Sequence, residues 1–234
     1  MKLSRKNVIG IVVLIVLLGA GGAAAKYFTS DAYKYRGLVT TDDTGLTEEQ
    51  RQYYLTQIGT SQSALEAQKK TMDINDVDWD LYLSIAYNSA AVGDLVAARE
   101  ILEEYFTLHQ LNPAAYSLYG SVLVRMEDRS GAEEAFRTAV NLQPSEESYR
   151  KLISAVRNNP PDDSREDEVK EILEDAVSKI GQTSWLMNEL AKWYLAAGDC
   201  TAALAHYKVA QDLLPPGNEA IIADIAAARE QCKR

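Results

Sequence analysis

Between residues 78 and 215, apolar residues recur at helical spacing in a block that occurs four times. Each block begins with a residue type that favours helix N-caps, at Asp78, Asn112, Ser145 and Thr183, with spacings of 34, 33 and 38 residues. A large side chain stands four positions after each cap, and an apolar or small pair follows on the same helical face. The large residues are Tyr82, Tyr116, Tyr149 and Met187. The pattern predicts four helices, each with one buried stripe.

A second helix is predicted later in each block. It is marked by a small or β-branched residue, a large apolar residue four positions later and, in three blocks, an alanine three positions after that. These positions hold Ala98, Leu102 and Tyr105, then Ala132, Phe136 and Ala139, then Val169, Leu173 and Ala176, and finally Ala203, Tyr207 and Ala210. Because small side chains let neighbouring helices approach closely, each block predicts a helical hairpin that packs against the next one.

The blocks resemble the tetratricopeptide repeat, a helical hairpin of about 34 residues with a characteristic order of large, small and aromatic positions. The second block matches best, through Tyr116, Tyr119, Gly120, Leu123, Ala132, Phe136, Ala139 and Pro144. The third block departs most, with Ile153 in a small-residue position and about four extra residues within residues 157–168. Pro160 and Pro161 predict a protruding loop there, and Ser164 is expected to cap the next helix.

The resemblance implies an all-α fold, a right-handed α-solenoid of about four hairpins at residues 78–216. A repeat cannot bury both of its faces alone, so each end of the array needs a capping element. At the C-terminal end, residues 217–234 predict one closing helix that begins at Asn218. The positions expected to face the core are Ile222, Ile225 and Ala226.

At the N-terminal end, residues 47–77 predict a helical cap for the first hairpin. Thr47 and Gln50 form a capping-box pattern at its start. An apolar stripe follows at Tyr54, Leu55 and Ile58. The sequence fits two structures for this segment. One is a single long helix over residues 47–71, and the other is a degenerate hairpin broken near Gly59.

Residues 1–26 are predicted to direct the protein to a membrane. Residues 8–25 carry no charge over 18 positions, and the basic residues before them are Lys2, Arg5 and Lys6. Positive charge on the cytoplasmic side predicts a single N-terminal transmembrane helix, with the repeats in the periplasm or outside the cell. A cleaved signal peptide and a buried core helix are the alternatives. Residues 27–46 are polar and predict a tether.

Charge and composition argue against several kinds of function. The formal net charge is −10, and it becomes −14 when residues 1–26, with four basic and no acidic residues, are set aside. Such an acidic domain is not expected to bind nucleic acid. His109 and His206 are far apart in sequence, and the acidic run at residues 73–80 lacks the glycine and final glutamate of a calcium loop. The sequence predicts no enzyme activity, no metal site and no cofactor.

In the tetratricopeptide-repeat family, one face of each first helix lines a concave groove that usually receives an extended peptide or a partner helix. The residues of this chain that the resemblance places there as partner contacts are Tyr87, Leu118, Arg125, Arg150, Lys151, Arg157, Trp185, Asn188 and Lys192. Over all groove positions, five basic residues stand against three acidic ones. This excess predicts a partner that is acidic or that carries a free C-terminal carboxylate.

Alternatives exist for several of these groove residues. Arg150, Lys151 and Arg157 would have no role in binding if they only balance nearby acids. Those acids are Glu146, Glu147 and Glu166. Trp185 is expected to be exposed, or else to pack on the loop of the third hairpin.

The chain has two cysteines, Cys200 at the start of the last second helix and Cys232 at the end of the closing helix. Each lies 16 residues from Pro216, near the predicted turn between these antiparallel helices. Because the two helices extend equally far from this turn, their other ends lie side by side. The two sulfurs are therefore expected to form a disulfide in an exported domain. Two unpaired thiols are the alternative.

Together these features predict a non-catalytic scaffold or assembly factor on the outer side of a cytoplasmic membrane, which binds an envelope protein or peptide in its groove. A second hypothesis is a cleaved, secreted binding module for peptides or envelope polymers. A third is an enzyme with a site in the groove, which would need a perturbed pair of ionisable groups that the sequence does not offer.

Overall fold

The computed structural model describes residues 44–73, 76–161, 163–214 and 219–233. These residues form ten α-helices and one short 3-10 turn, and the described ranges contain no β-strand. The helices are α1 (Glu48–Thr71), α2 (Asp80–Ala91), α3 (Leu95–Leu108), α4 (Pro113–Arg125), α5 (Arg129–Leu142), α6 (Glu146–Arg157), α7 (Glu166–Ile180), α8 (Ser184–Ala196), α9 (Cys200–Asp212) and α10 (Glu219–Gln231).

Residues 1–43 lie outside the described residues. They include the predicted transmembrane helix at residues 8–25 and most of the predicted tether. Among the helices that the structure describes, none combines the length and the apolar character needed to cross a bilayer. Membrane attachment therefore stays a prediction.

The N-terminal cap is one continuous helix, α1, rather than a hairpin broken at Gly59. The Thr47 hydroxyl accepts the N–H of Gln50 at 3.2 Å, and the Gln50 side chain accepts the N–H of Thr47 at 2.9 Å, which forms the predicted capping box. A single interior glycine costs a helix only about 1 kcal/mol, so α1 continues through it. The predicted stripe is wrong at Leu55, which is 42% exposed. Since α1 packs mainly against one helix, α2, only a narrow face is covered.

Three of the four first helices begin at the predicted caps. The side chains of Asn112, Ser145 and Thr183 accept backbone N–H groups at the starts of α4, α6 and α8. The carboxylate of Asp78 accepts the N–H of Asp80 at 3.0 Å, where α2 begins. The N-cap of α2 is nevertheless Trp79, one residue after the predicted Asp78.

Three of the second helices follow the same kind of turn. A residue with positive φ ends the turn in each case, and these residues are Gly93 (φ 86°), Glu127 (φ 63°) and Gly198 (φ 81°). The next residue is an aspartate whose carboxylate accepts the N–H of the third helical residue, and these caps are Asp94, Asp128 and Asp199. Glycine adopts this backbone conformation without a Cβ clash, which explains two of the three residues.

The buried side chains confirm the predicted repeat. All twelve marked positions of the second helices are at most 4% exposed. Helices α4 and α5 approach closely at Gly120, where a Cβ would lie 2.6 Å from the ring of Phe136. Tyr116 is only partly buried, and its ring stacks on that of Phe106 with 4.2 Å between the centroids.

The insertion of the third hairpin has an exposed tip at Pro160 and Pro161, and its flanking residues Asn159 and Arg165 contact α5. Helix α6 ends at Arg157, and α7 follows a short 3-10 turn. The N-cap residue of α7 is Arg165, so the prediction that Ser164 occupies this position is wrong. Arg165 lies 2.6 Å from Glu133 on α5 and fastens the segment there.

The closing helix α10 packs against α9, but its buried face is shifted from the predicted one. The buried side chains are Ile221, Ile225 and Ala228. Ile225 was predicted correctly, whereas Ile222 is 47% exposed and Ala226 is also exposed. Residues at spacings of four and three share a helical face, so burial of Ile221 turns Ile222 outward. The predicted start at Asn218 lies outside the described residues.

The predicted disulfide between Cys200 and Cys232 is present. The two Cα atoms are 5.7 Å apart, within the range that a disulfide requires. Cys200 is the first residue of α9 and Cys232 follows α10, so the bond holds the end of the last helix on the array.

Removal of this bond is expected to loosen α10 first. For a sequence separation of 32 residues, chain entropy gives a contribution of about 3.5 to 4 kcal/mol. The double variant Cys200→Ser, Cys232→Ser should lower the free energy of unfolding by up to this amount and speed amide exchange in α10. Denaturant titration and hydrogen-exchange mass spectrometry measure the two effects. Equal exchange in α10 of the variant and the oxidised wild type would contradict this role.

Candidate binding groove

The first helices of consecutive hairpins lie beside one another, with α4 in contact with both α2 and α6. Two cavities open between these helices at the positions that the resemblance assigned to the groove. We name them the Tyr87 cavity and the Arg129 cavity, after one lining residue of each.

The Tyr87 cavity has a volume of about 510 Å³. Its lining residues are Tyr87, Pro113, Ala114, Ser117, Leu118, Ser121, Ala139, Gln143, Ser145, Glu147, Ser148 and Lys151. Tyr87 is 59% exposed, and Lys151 donates from Nζ to the hydroxyl of Ser117 at 2.7 Å. The structure thus brings Tyr87, Leu118 and Lys151 together in one cavity, and their role in binding stays a prediction.

The Arg129 cavity has a volume of about 590 Å³. Its lining residues are Ser121, Val124, Glu127, Arg129, Ala132, Phe136, Arg150, Lys151, Ser154, Ala155 and Asn158. It shares Ser121 and Lys151 with the Tyr87 cavity, so the two cavities are adjacent, and we refer to the pair as the channel. Arg129 was not among the predicted groove residues because it belongs to a second helix, whereas the family pattern assigns the groove to first helices.

Five of the predicted contact residues line neither cavity, and they are Arg125, Arg157, Trp185, Asn188 and Lys192. Arg125 donates from Nη1 to the carbonyl oxygen of Ala90 at 2.6 Å, near the end of α2. This hydrogen bond joins the second hairpin to the first. A substitution of Arg125 would therefore test packing between hairpins as much as binding.

Arg150 and Lys151 pair with acids on their own helix. Arg150 lies 2.6 Å from Glu146, and Lys151 lies 3.0 Å from Glu147, each one turn away. Solvent weakens such partly exposed pairs, but each still places a carboxylate beside the cation. The positive charge of the groove is therefore smaller than a count of groove positions suggests, and the preference for an acidic partner stays a prediction.

Arg157 connects two hairpins. Its guanidinium lies 3.0 Å from Glu166 and 2.8 Å from Glu189 on α8. Burial acts to raise the pKa of Glu189, but the hydrogen bond from Arg157 and the charge of Lys192 outweigh it and hold this pKa below its ordinary value. Replacement of Arg157 would leave a buried carboxylate with less compensation, so this residue is structural in part.

Trp185 is half-buried rather than exposed. The guanidinium of Arg150 lies over its ring, 4.1 Å from the centroid, so Trp185 contacts α6 of the preceding hairpin. The side-chain oxygen of Asn188 is buried and accepts no hydrogen bond from any residue that the structure describes.

A cluster of charges fastens the insertion to α5. The carboxylate of Glu133 lies 2.6 Å from Arg165 and 2.9 Å from Arg137, and it accepts a hydrogen bond from Asn159 at 3.0 Å. The hydrogen bond from Arg165 is the main reason why the pKa of Glu133 is lowered to about 2. The cluster orders the segment between α6 and α7.

The stability of the protein should respond to protonation of Glu133. Its pKa of about 2 in the folded protein lies below the ordinary 4.5. A carboxyl group with a lowered folded-state pKa stabilises the fold above its unfolded-state pKa, and this contribution is lost as the pH falls through the folded value. The free energy of unfolding should therefore decrease between pH 4.5 and about pH 2, and less steeply in Glu133→Gln.

Denaturant titrations across this pH range would measure that dependence. Glu134→Gln is the control, because it makes the same chemical change at the next residue, which is exposed. A slope that Glu133→Gln leaves unchanged would show that this carboxylate does not contribute.

The two histidines lie in aromatic contacts. The ring of His109 stacks on Trp79 with 5.4 Å between centroids, and that of His206 stacks on Tyr194 at 5.1 Å. Burial lowers the pKa of His206. Within the described ranges, no group of three or more His, Cys, Asp or Glu side chains could hold a metal ion.

Comparisons with known proteins support the fold. No protein-family model matches the sequence, and no curated protein is similar to it. The crystal structure of MamA is 19% identical, with a TM-score of 0.54 over 73% of this chain and 94% of that chain. The C-terminal part of a TPR repeat-containing protein from Cytophaga hutchinsonii is 18% identical, with a TM-score of 0.56 over 70% of this chain and 64% of that chain.

At these identities the similarity concerns the fold alone. It agrees with the repeated caps, the buried stripes and the stacked hairpins described above. The chain therefore has the tetratricopeptide-repeat fold that the sequence resemblance predicted.

Proposed function

We propose that this protein is a non-catalytic scaffold that binds a partner protein or peptide along the Tyr87 and Arg129 cavities. The observation that carries the proposal is the channel, two adjacent cavities that share the residues Ser121 and Lys151. Tyr87 and Val124 are 59% and 52% exposed in this channel, and a bound segment would bury their apolar surface. Stacked repeats commonly present such extended concave surfaces to partners.

The proposed partner is a protein of the cell envelope, because we propose that the repeats face the outer side of a cytoplasmic membrane. The basic residues before the uncharged stretch at residues 8–25 support this orientation. The disulfide between Cys200 and Cys232 supports it independently, since such bonds persist mainly in oxidising compartments.

Tyr87→Ala tests the groove. Loss of an aromatic anchor from an interface costs about 1.4 kcal/mol or more, so capture of the partner by in-cell cross-linking should fall about ten-fold. Tyr53→Ala is the matched control, because Tyr53 lies on α1 and is 60% exposed, against 59% for Tyr87. Mass spectrometry would identify the captured proteins. If both variants capture the same proteins in the yield of the wild type, the partner does not bind at the Tyr87 cavity.

Protease accessibility tests the orientation. Protease added to spheroplasts should digest the repeats while a cytosolic marker stays intact. N-terminal sequencing of the mature protein would then separate an anchored form, which keeps residues 8–25, from a cleaved and secreted one. Full protection of the repeats, together with fractionation into the cytosol, would refute export.

A further inference from the structure

The Arg129 cavity combines an apolar floor with a cation that has no partner among the described residues. Ala132 and Phe136 of α5 form the floor, and Val124 of α4 stands exposed on the wall. Arg129 is the first residue of α5 and is exposed, and it makes no ion pair or hydrogen bond with any residue that the structure describes. A ligand could therefore meet apolar surface and an available guanidinium in one place.

The other charges of this cavity leave Arg129 as the available site for an anion. Arg150 and Lys151 also line the cavity, but each already has a carboxylate within about 3 Å on its own helix. Glu127 also lines the cavity, and its negative charge disfavours anions beyond the one that Arg129 can pair with. A single carboxylate is thus favoured, and arginine binds carboxylates through two parallel hydrogen bonds.

The spacing along α5 indicates where that carboxylate must lie in a ligand. Arg129, Ala132 and Phe136 are three and seven residues apart and share one helical face. At the rise of an α-helix, Arg129 lies about 4.5 Å from Ala132 and about 10.5 Å from Phe136 along the axis. Side chains two positions apart in an extended peptide point to the same side and are about 6.6 Å apart. This separation falls between the axial distances from Arg129 to Ala132 and to Phe136. An acidic side chain two positions from an apolar side chain that contacts Ala132 and Phe136 is therefore level with Arg129.

We infer that the Arg129 cavity is a specificity pocket for a partner segment in which a large apolar residue and one Asp or Glu are separated by a single residue. The apolar side chain lies on Ala132 and Phe136, and the acidic side chain pairs with Arg129. The inference rests on the proposed function and specifies the partner sequence at that site.

The rest of such a segment would extend toward the Tyr87 cavity. Pro113 and Val124 mark the two ends of the channel on α4 and are eleven residues apart, which corresponds to about 16.5 Å. An extended peptide covers this distance with about four or five residues. A heptapeptide is therefore long enough to fill the channel.

A phage library of random heptapeptides, selected on the full-length protein in detergent, tests this pattern. The peptides are fused to the coat protein at their C-terminus, so they offer no free terminal carboxylate. Peptides with one residue between the apolar and the acidic residue should be enriched about five- to ten-fold over peptides in which the two are adjacent, as expected for one charge-assisted hydrogen-bonded pair.

Arg129→Gln should abolish this preference while the enrichment of large apolar residues persists. The substitution keeps most of the side chain at an exposed position, and circular dichroism would confirm the fold. Arg229→Gln on α10 is the matched control, because Arg229 is also exposed and has no ion pair within the described residues. It should leave the selected sequences unchanged.

Several results would overturn the inference. The first is that the wild type enriches no peptides, or enriches adjacent and separated pairs equally. The second is that Arg129→Gln selects the same pattern as the wild type. The third is that only synthetic peptides with a free C-terminal carboxylate bind. If Tyr87→Ala loses partner capture in cells while Arg129→Gln keeps the selected pattern, the scaffold function stands and the inference fails. If the Tyr87→Ala variant captures its partners normally, the proposed function fails at its own test.

Discussion

The hairpins of this protein bury their apolar stripes only by stacking, and small residues determine how closely the helices meet. At Gly120 a Cβ would lie 2.6 Å from the ring of Phe136, so the absence of a side chain lets α5 seat against α4. Phe136 is also part of the floor of the Arg129 cavity. The packing of the second hairpin and the shape of the candidate binding surface therefore depend on the same ring.

Polar contacts also link neighbouring hairpins, in addition to the packing of this core. Arg125 donates to the Ala90 carbonyl, and Arg157 pairs with the buried Glu189. Exposed ion pairs contribute little to stability, but a pair with a buried member matters more, because loss of its partner leaves a charge with poor compensation. Two arginines that a family pattern assigns to ligand binding are thus used to hold neighbouring hairpins together.

The two ends of the array are closed by different means. At the N-terminal end, α1 runs over 24 residues from a capping box and lies along α2. At the C-terminal end, α10 buries few side chains, and the disulfide from Cys200 to Cys232 ties it to the start of α9. Terminal helices of a stacked array have a neighbour on one side only and tend to fray, so a covalent tie is most useful at such an end.

Helical periodicity was enough to predict the four hairpins, three of the first-helix caps, the buried positions of the second helices and the cysteine pair. The rise and rotation per residue fix which side chains share a face and how far apart two residues of a helix lie. The groove was predicted less well. Tyr87, Leu118 and Lys151 meet in one cavity.

The remaining groove assignments depend on distances between hairpins, which periodicity does not contain. The acceptor of Arg125 lies 35 residues away in sequence, and the nearest partner of Arg157 lies 32 residues away on another helix. Arg129 joins the groove because α5 passes beneath α4 and α6, and Ile221 rather than Ile222 is buried because α9 meets that side of α10. These contacts depend on which residues of neighbouring helices come within contact distance. Residues that are far apart in sequence reach that distance only in the folded protein.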